Sequence, residues 1–326
     1  MAKRSTATGL RAVWGAALAT MLLVLANGGA AAQQSSFLLD LLAGGSGFPA
    51  SASAPGLSGA PLDGDFAGYQ LQFARVRDAR IDTRFGIKKL FRDEGITYPA
   101  AEIFLRIFKR ERLLEVWVRP AEDDTFSLLK TYTVCALAGE LGPKRAQGDG
   151  QTPEGFYEID YFNPQSDYHL SLHLNYPNRS DALLGRAGRL GGDIFIHGGC
   201  LTEGCLAVTD EAIKELYWIA VEARSGGQRR IPVHIFPARL DAAEMQRQAS
   251  VFSGEPELRR FWMNLKPAYD YFEQSRKLPA IRVNDRGSYR LAGDPEYGPD
   301  DPPVAAPATA TGKPDAQGRG SRQRDR

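Results

Sequence analysis

The chain has 326 residues, with 40 lysines and arginines against 39 aspartates and glutamates, a formal net charge of +1. That near-balance argues against a nucleic-acid grip, which calls for a basic excess or stripe. A hydrophobic content of 43% excludes wholesale disorder.

The N-terminus reads as an export signal. Lys3, Arg4 and Arg11 precede an apolar run, Ala12 to Ala26, and Ala30-Ala31-Ala32 supplies the small residues of a cleavage site. Fifteen apolar residues are short for a membrane span, which needs about 20. Cleavage after Ala32 is therefore expected, with no stable span afterwards, and a retained anchor is the alternative. Removing residues 1–32 leaves 37 bases against 39 acids, a charge of −2. Residues 43–64 are rich in Gly, Ser, Ala and Pro, and a flexible linker is expected over 33–66. Residues 293–326 hold almost no large apolar side chains, so a disordered tail is expected over 286–326. One domain should then occupy 67–285, with helical attachments at both ends.

Within that domain, residues 74–93 mix apolar side chains with Arg, Lys and Asp and suggest a surface helix. Glu102–Phe108 and Leu113–Arg119, around the polar turn Lys109-Arg110-Glu111-Arg112, read as a β-hairpin. Thr125–Leu137 reads as a third strand, and Gly142 to Gly155 as a long glycine-rich loop. Phe156–Tyr161, Tyr168–Asn175 and Gly192–His197 follow as strands. Thr209-Asp210 caps a helix whose Ile213, Leu216, Tyr217 and Ala220 share a face, and Gly226-Gly227 stops it. Ile231–Phe236 is a late strand. Leu258, Phe261, Trp262, Leu265, Tyr269 and Phe272 form a helical stripe most simply read as core, with a kink expected at Pro267. The sum is a mostly-β domain with flanking helices.

The informative stretch runs Ile196-His197-Gly198-Gly199-Cys200-Leu201-Thr202-Glu203-Gly204-Cys205-Leu206. A thiol with a pKa of about 8.5 is only a few per cent thiolate at neutral pH, so catalysis by cysteine needs a base within reach. His197 and Cys205 are eight residues apart, up to roughly 28 Å if extended. Gly198, Gly199 and Gly204 permit the loop to fold back and join them. On residues alone, a core histidine with two structural cysteines is as good a reading.

The stretch resembles the active-site signature of the L,D-transpeptidase catalytic (YkuD-type) family, in its YafK-like branch. The similarity extends to Leu141–Lys144, Gly148-Asp149-Gly150, Thr152–Tyr157, Asn163–Ser166, Leu172–Asn178, Val233–Pro237 and Phe261–Lys266, covering roughly 74–275. The resemblance implies a β-sandwich-like catalytic domain that acts on peptidoglycan stem peptides. Family enzymes attack a peptide bond beside meso-diaminopimelate and form a thioester, which an amine then accepts. If water accepts it, the enzyme is a carboxypeptidase or amidase-type hydrolase. Carried over by position, Cys205 is the nucleophile and His197 the general base and acid. Gly204 belongs to the oxyanion region, and Gly198, Thr202 and Glu203 are the expected substrate contacts. The implied partners are stem peptides and a peptidoglycan-attached envelope protein, the implied location is the periplasm, and no cofactor is implied. The common pattern has His where this chain has Glu203 and Arg where it has Ala207. Those departures weaken the case for transpeptidation as the main activity.

Three cysteines leave at least one free thiol. Cys135 and Cys200 read as packed thiols, with a Cys200–Cys205 disulfide as the alternative. His169 and His173 would share a strand face and with His197 suggest a zinc site, but no ligand spacing supports it and none is expected. Lys144, Asp149 and Glu154 read most simply as solvated loop charges, with lining of a substrate groove as the alternative. A non-catalytic peptidoglycan-binding protein is the rival from another functional class.

Overall fold

The computed structural model describes residues 65–294. The expected signal, most of the linker and the tail beyond residue 294 lie outside them. Helix α1 (Phe66–Gln70) begins at the end of the expected linker. Helix α2 (Ala74–Asp93) follows, and buries Val76, Ala79, Ile87 and Phe91 at helical spacing.

The strands are β1 (Glu102–Phe108), β2 (Leu113–Arg119), β3 (Ser127–Thr133), β4 (Ala136–Leu137), β5 (Gly155–Asn163), β6 (Ser171–Leu174), β7 (Ile194–His197), β8 (Leu206–Ala207) and β9 (Ile231–Phe236). They form one sheet in the order β3-β2-β1-β9-β5-β6-β7-β8-β4. β1 runs parallel to β9 and β7 parallel to β8; the other pairs are antiparallel. The two edge strands are consecutive in the chain, with only Val134 and Cys135 between them. Two residues span at most about 10 Å between flanking Cα atoms, so the sheet curls until its edges nearly meet. The single strand expected over Thr125–Leu137 is therefore broken: its second part leaves β2 and pairs with β8.

Side-chain alternation sends β1, β5 and β9 into two cores. Leu105, Ile107, Val233, Ile235, Tyr157 and Ile159 point inward with Leu172, Leu174, Ile194 and Ile196. The α2 residues and helix α4 (Asp210–Ser225) complete that core. Phe108, Phe156 and Phe236 point the other way, against helix α6 (Pro256–Ser275) and the hairpin β10–β11 (Ile281–Val283 and Tyr289–Leu291). β1 and β9 are thus covered on both faces, which is why they read as nearly continuous apolar runs. The hairpin passes residue 285, the expected limit of the domain, because Val283 and Tyr289 are buried under α6. Short helices α3 (Arg179–Leu184) and α5 (Ala242–Val251) complete the described elements. Helix α6 continues through Pro267; Pro267 and Met263 are both exposed, so water can serve the carbonyl that loses its donor. His169 adopts φ +70 outside β6, so it does not share a strand face with His173.

The glycine-rich loop is held by buried charges; of the three expected to be solvated, only Asp149 is exposed. Lys109, at the end of β1, is 4% exposed and Glu154 is fully buried. Lys109 Nζ lies 3.0 Å from Glu154 Oε1 and donates to the carbonyls of Gly142 and Thr152 at 2.9 Å each. Glu154 also accepts from Gly142 N at 2.6 Å and from Trp262 Nε1 of α6 at 2.8 Å. Lys144 is likewise buried, paired with Asp149 and donating to Ala146 O. Glu154→Gln keeps the shape but leaves the Lys109 charge uncompensated. The expected loss is about 3–5 kcal/mol of unfolding free energy, read by urea denaturation. A change below about 1 kcal/mol, the range of a surface pair, would remove the clamp from this account.

Candidate active site

His197 closes β7 and Cys205 immediately precedes β8, its parallel neighbour. The Gly198–Gly204 loop reverses the chain between them. Its return is anchored by Asp210 at the start of α4, whose Oδ1 accepts from Gly199 N at 2.9 Å. Only glycine fits at 198, since a Cβ there would lie 2.4 Å from Asp210 Oδ1. The loop brings Cys205 back beside Phe195, whose N–H donates to Cys205 Sγ at 3.3 Å. The thiol in turn donates to Asp193 O at 3.4 Å. Ile194 and Ile196 face the core, so Phe195 and His197 face out together on the opposite side. Cys205 and His197 consequently open onto one cleft of about 260 Å³, walled by Asn163, Ser166, Asp167, Tyr168, Ser171, Asp193 and Phe195.

The protonation states follow from burial and hydrogen bonding. His197 Nδ1 lies 2.6 Å from Gly198 O. A carbonyl only accepts, so Nδ1 carries the proton and Nε2 is left with its lone pair. Burial lowers the His197 pKa, and the Gly198 carbonyl only partly opposes that. The ring sits against Tyr168, with centroids 4.6 Å apart. Burial also raises the Cys205 pKa, opposed by the Phe195 N–H, the Thr202 hydroxyl and Lys144. Both shifts favour the neutral forms, thiol and imidazole.

Thr202 organises the turn. Its Oγ1 accepts from Cys205 N at 2.8 Å and from Gly204 N at 3.3 Å. The Thr202 hydroxyl also lowers the Cys205 pKa, against the effect of burial. Thr152, on the glycine-rich loop, donates to Cys205 O at 3.1 Å. The Cys205 backbone is fixed from both sides.

The sequence profile of the L,D-transpeptidase catalytic domain (YkuD) matches residues 105–235. YafK of Escherichia coli (strain K12), whose designation as an L,D-transpeptidase is provisional, is 37% identical over 183 residues. The match covers 56% of this chain and 70% of YafK. This chain belongs to the L,D-transpeptidase catalytic-domain family. Among solved structures, the helical cell shape determining protein Pgp2 from Campylobacter jejuni is 19% identical with a TM-score of 0.35. The match covers 56% of this chain and 73% of that one. Bd1075 of Bdellovibrio bacteriovorus is 25% identical with a TM-score of 0.31, covering 54% and 64% respectively.

Within this L,D-transpeptidase domain the structure brings Cys205 and His197 together but places the other expected site residues differently. The amides of Gly204 and Cys205 are engaged by Thr202, so neither is a free oxyanion donor in this state. Thr202 serves the turn and the thiol. Gly198 is buried and orients His197 through its carbonyl, and Glu203 is exposed and does not wall the cleft. The wall comes instead from the turn after β5 and the start of β6. Its only sequence signal was the Asn163–Ser166 segment, which resembles the YafK-like branch.

The cysteines are paired otherwise than expected. Cys135 and Cys200 form a disulfide, and Cys205 is the free thiol. Cys135 lies in the break between β3 and β4, half-buried, and Cys200 is exposed at φ +51 on the loop. Neither is a packed thiol. Among the described residues, no three His, Cys, Asp or Glu side chains gather in a metal-binding group.

Iodoacetamide without reductant should label Cys205 alone, and after reduction all three cysteines. Thr202→Val removes the hydroxyl while keeping the volume. The pH midpoint of Cys205 alkylation should then rise, whereas Thr202→Ser should restore it. An unchanged midpoint in the valine variant would show that the hydroxyl does not reach the sulfur.

Proposed function

We propose that this protein is an exported cysteine enzyme of peptidoglycan that acts through a thioester on Cys205, with His197 as base and acid. The observation that carries the reading is one cleft shared by the free thiol and a histidine whose Nε2 is left unprotonated. The donor is a stem peptide, cut at the bond next to meso-diaminopimelate. As Cys205 sulfur bonds to the carbonyl carbon, its proton passes to His197 Nε2. The tetrahedral species collapses, the C–N bond breaks, and the leaving amine takes the proton from His197. An acceptor amine or water then attacks the thioester, gives its proton to His197 and expels the thiolate.

The cleft wall supports a substrate that presents an ammonium group. Asp167 and Asp193 line it, and among the described residues no lysine or arginine does. Diaminopimelate carries such a group on its side chain. Export is supported by the sequence of residues 1–32 and by the Cys135–Cys200 disulfide, which persists in an oxidising compartment such as the periplasm. Among the described residues, no helix is long and apolar enough to cross a membrane.

Hydrolysis rather than transpeptidation is the second reading, favoured by Glu203 and Ala207 where the common family pattern has His and Arg. Purified sacculi incubated with the protein separate the two. Transpeptidation yields a new cross-link, and hydrolysis yields a shortened stem or a freed envelope protein. Cys205→Ala should abolish either product. If wild type and Cys205→Ala give one muropeptide profile, and a carbapenem adds no mass at Cys205, the protein is a binding module.

The neutral resting pair also sets a pH dependence. His197 must be unprotonated to act, and burial holds its pKa below the ordinary imidazole value of about 6.5. Activity should persist as pH falls through 6.5 and fail only once His197 gains its proton. A kcat/KM profile whose acid limb has its midpoint above about 6.5 would contradict a buried neutral base.

A further inference from the structure

Helix α2 presents a second functional surface. Its inner face is packed into the core through Val76, Ala79, Ile87 and Phe91. On the opposite face Phe85 is 71% exposed and Ile81 is 59% exposed, one turn apart. Single exposed apolar residues are ordinary, but these two stand among cations. At 100° per residue, Arg77, Lys88 and Arg92 fall on the same outward face, with Arg84 at its edge. The Arg84 guanidinium stacks on the Phe85 ring at 4.5 Å. Overall α2 holds seven bases, Arg75, Arg77, Arg80, Arg84, Lys88, Lys89 and Arg92, against Asp78, Asp82 and Asp93, a net +4 in a chain of +1. The acids lie on the other flank of the pair, Asp78 nearest to it. Asp82 is paired with Lys214 at 2.8 Å, and Asp93 is paired with Lys89.

We propose that this outward face of α2 docks on an anionic lipid bilayer. Charge complementarity selects an anionic partner. The apolar pair beside the cations selects one that also offers a hydrocarbon boundary, which a soluble polyanion lacks. A bilayer supplies both, with phosphates for the guanidinium and ammonium groups and the headgroup–acyl boundary for Phe85 and Ile81. The convex face of a single helix of about 30 Å suits such shallow insertion better than it suits a protein partner, which needs roughly 800 Å² a side. The docking bears on the catalytic cleft. Arg75, in the first turn of the same helix, donates to the carbonyls of Ser166 and His169. Ser166 and Tyr168 wall the cleft, so α2 holds a cleft wall while its outer face meets the membrane.

The test is vesicle flotation of the full chain, on phosphatidylcholine alone and on phosphatidylcholine containing phosphatidylglycerol. Wild type should float with the anionic vesicles, and added salt should release it. Arg77→Gln/Arg84→Gln/Lys88→Gln should lower the partition coefficient by roughly a hundredfold, at about fivefold per cation. Ile81→Ser/Phe85→Ser should lower it at least tenfold on the same vesicles. Ile81, Phe85, Arg77 and Lys88 are exposed and Arg84 is half-buried, so the apolar variant should melt as wild type does, and a variant that melts early is replaced by its single substitutions. Equal flotation on both vesicle types, or flotation unchanged in both variants, overturns the proposal. So does retention of wild type by soluble polyphosphate without vesicle binding. Muropeptide products in detergent solution should be unchanged in both variants, which keeps this result separate from the catalytic reading.

Discussion

The buried pair of Lys109 and Glu154 is the constraint on which the site rests. Three parts of the chain meet there: the end of β1, both limbs of the glycine-rich loop, and α6 through Trp262. None could meet at that point with apolar side chains alone. The loop turns its carbonyls and amides inward, and each needs a partner once water is excluded. A lysine supplies three donors and a glutamate accepts through two oxygens, so together they satisfy the loop and neutralise each other. The arrangement reaches Cys205 in one further step. Thr152, whose carbonyl is held by Lys109, gives its hydroxyl proton to the Cys205 carbonyl.

The electrostatics of the cleft follow from the same exclusion of water. A Cys–His pair can rest as an ion pair or as two neutral groups. Here burial pushes the thiol pKa up and the imidazole pKa down, and both shifts favour the neutral forms. Such a thiol is less exposed to oxidation than a standing thiolate. The Cys135–Cys200 disulfide serves the same end. It occupies the two other cysteines, one of them on the loop beside Cys205, and so leaves no neighbouring thiol for Cys205 to pair with. It also ties that loop to the break where the curled sheet closes.

Much of this was legible locally. The β1–β2 hairpin, the capped α4 helix and the α6 stripe all have periods set by side chains within a few residues of one another. That His197 and Cys205 could meet was legible because one strand end, one glycine loop and one thiol lie in a single short stretch, but the residues alone left a structural reading equally good and only the family resemblance separated them. Lys109 and Glu154 were not legible, because a buried charge looks like a surface charge until its partner, 45 positions away, is known. The same holds for Cys135 and Cys200, at a separation of 65. The break at Val134–Cys135 escaped because both halves of the run have strand-forming residues; only the pairing partner changes, from β2 to β8. The cleft wall escaped for a related reason. Asn163 ends β5, Asp167 and Tyr168 lie in the polar turn after it, although Tyr168 was read as the start of a strand, and their proximity to Cys205 is created by the β5–β6–β7 pairing.

A near-neutral total charge is therefore a poor guide to what this surface attracts. Two places of opposite sign stand on the same domain. The cleft is walled by Asp167 and Asp193, which in the proposed function meet a cationic group, while α2 concentrates cations around Phe85 and Ile81. The two are joined mechanically through Arg75, which is rooted in α2 and grips the carbonyls of the turn that carries Asp167 and Tyr168. Arg75 lies in the first turn of the helix, away from the Ile81–Phe85 pair, so it can hold that turn while the outward face is engaged elsewhere. An anionic surface at α2 and an ammonium group at the cleft can then be bound at once without competing for the same charges. The separation of signs, which cancels in the sum, is what permits both.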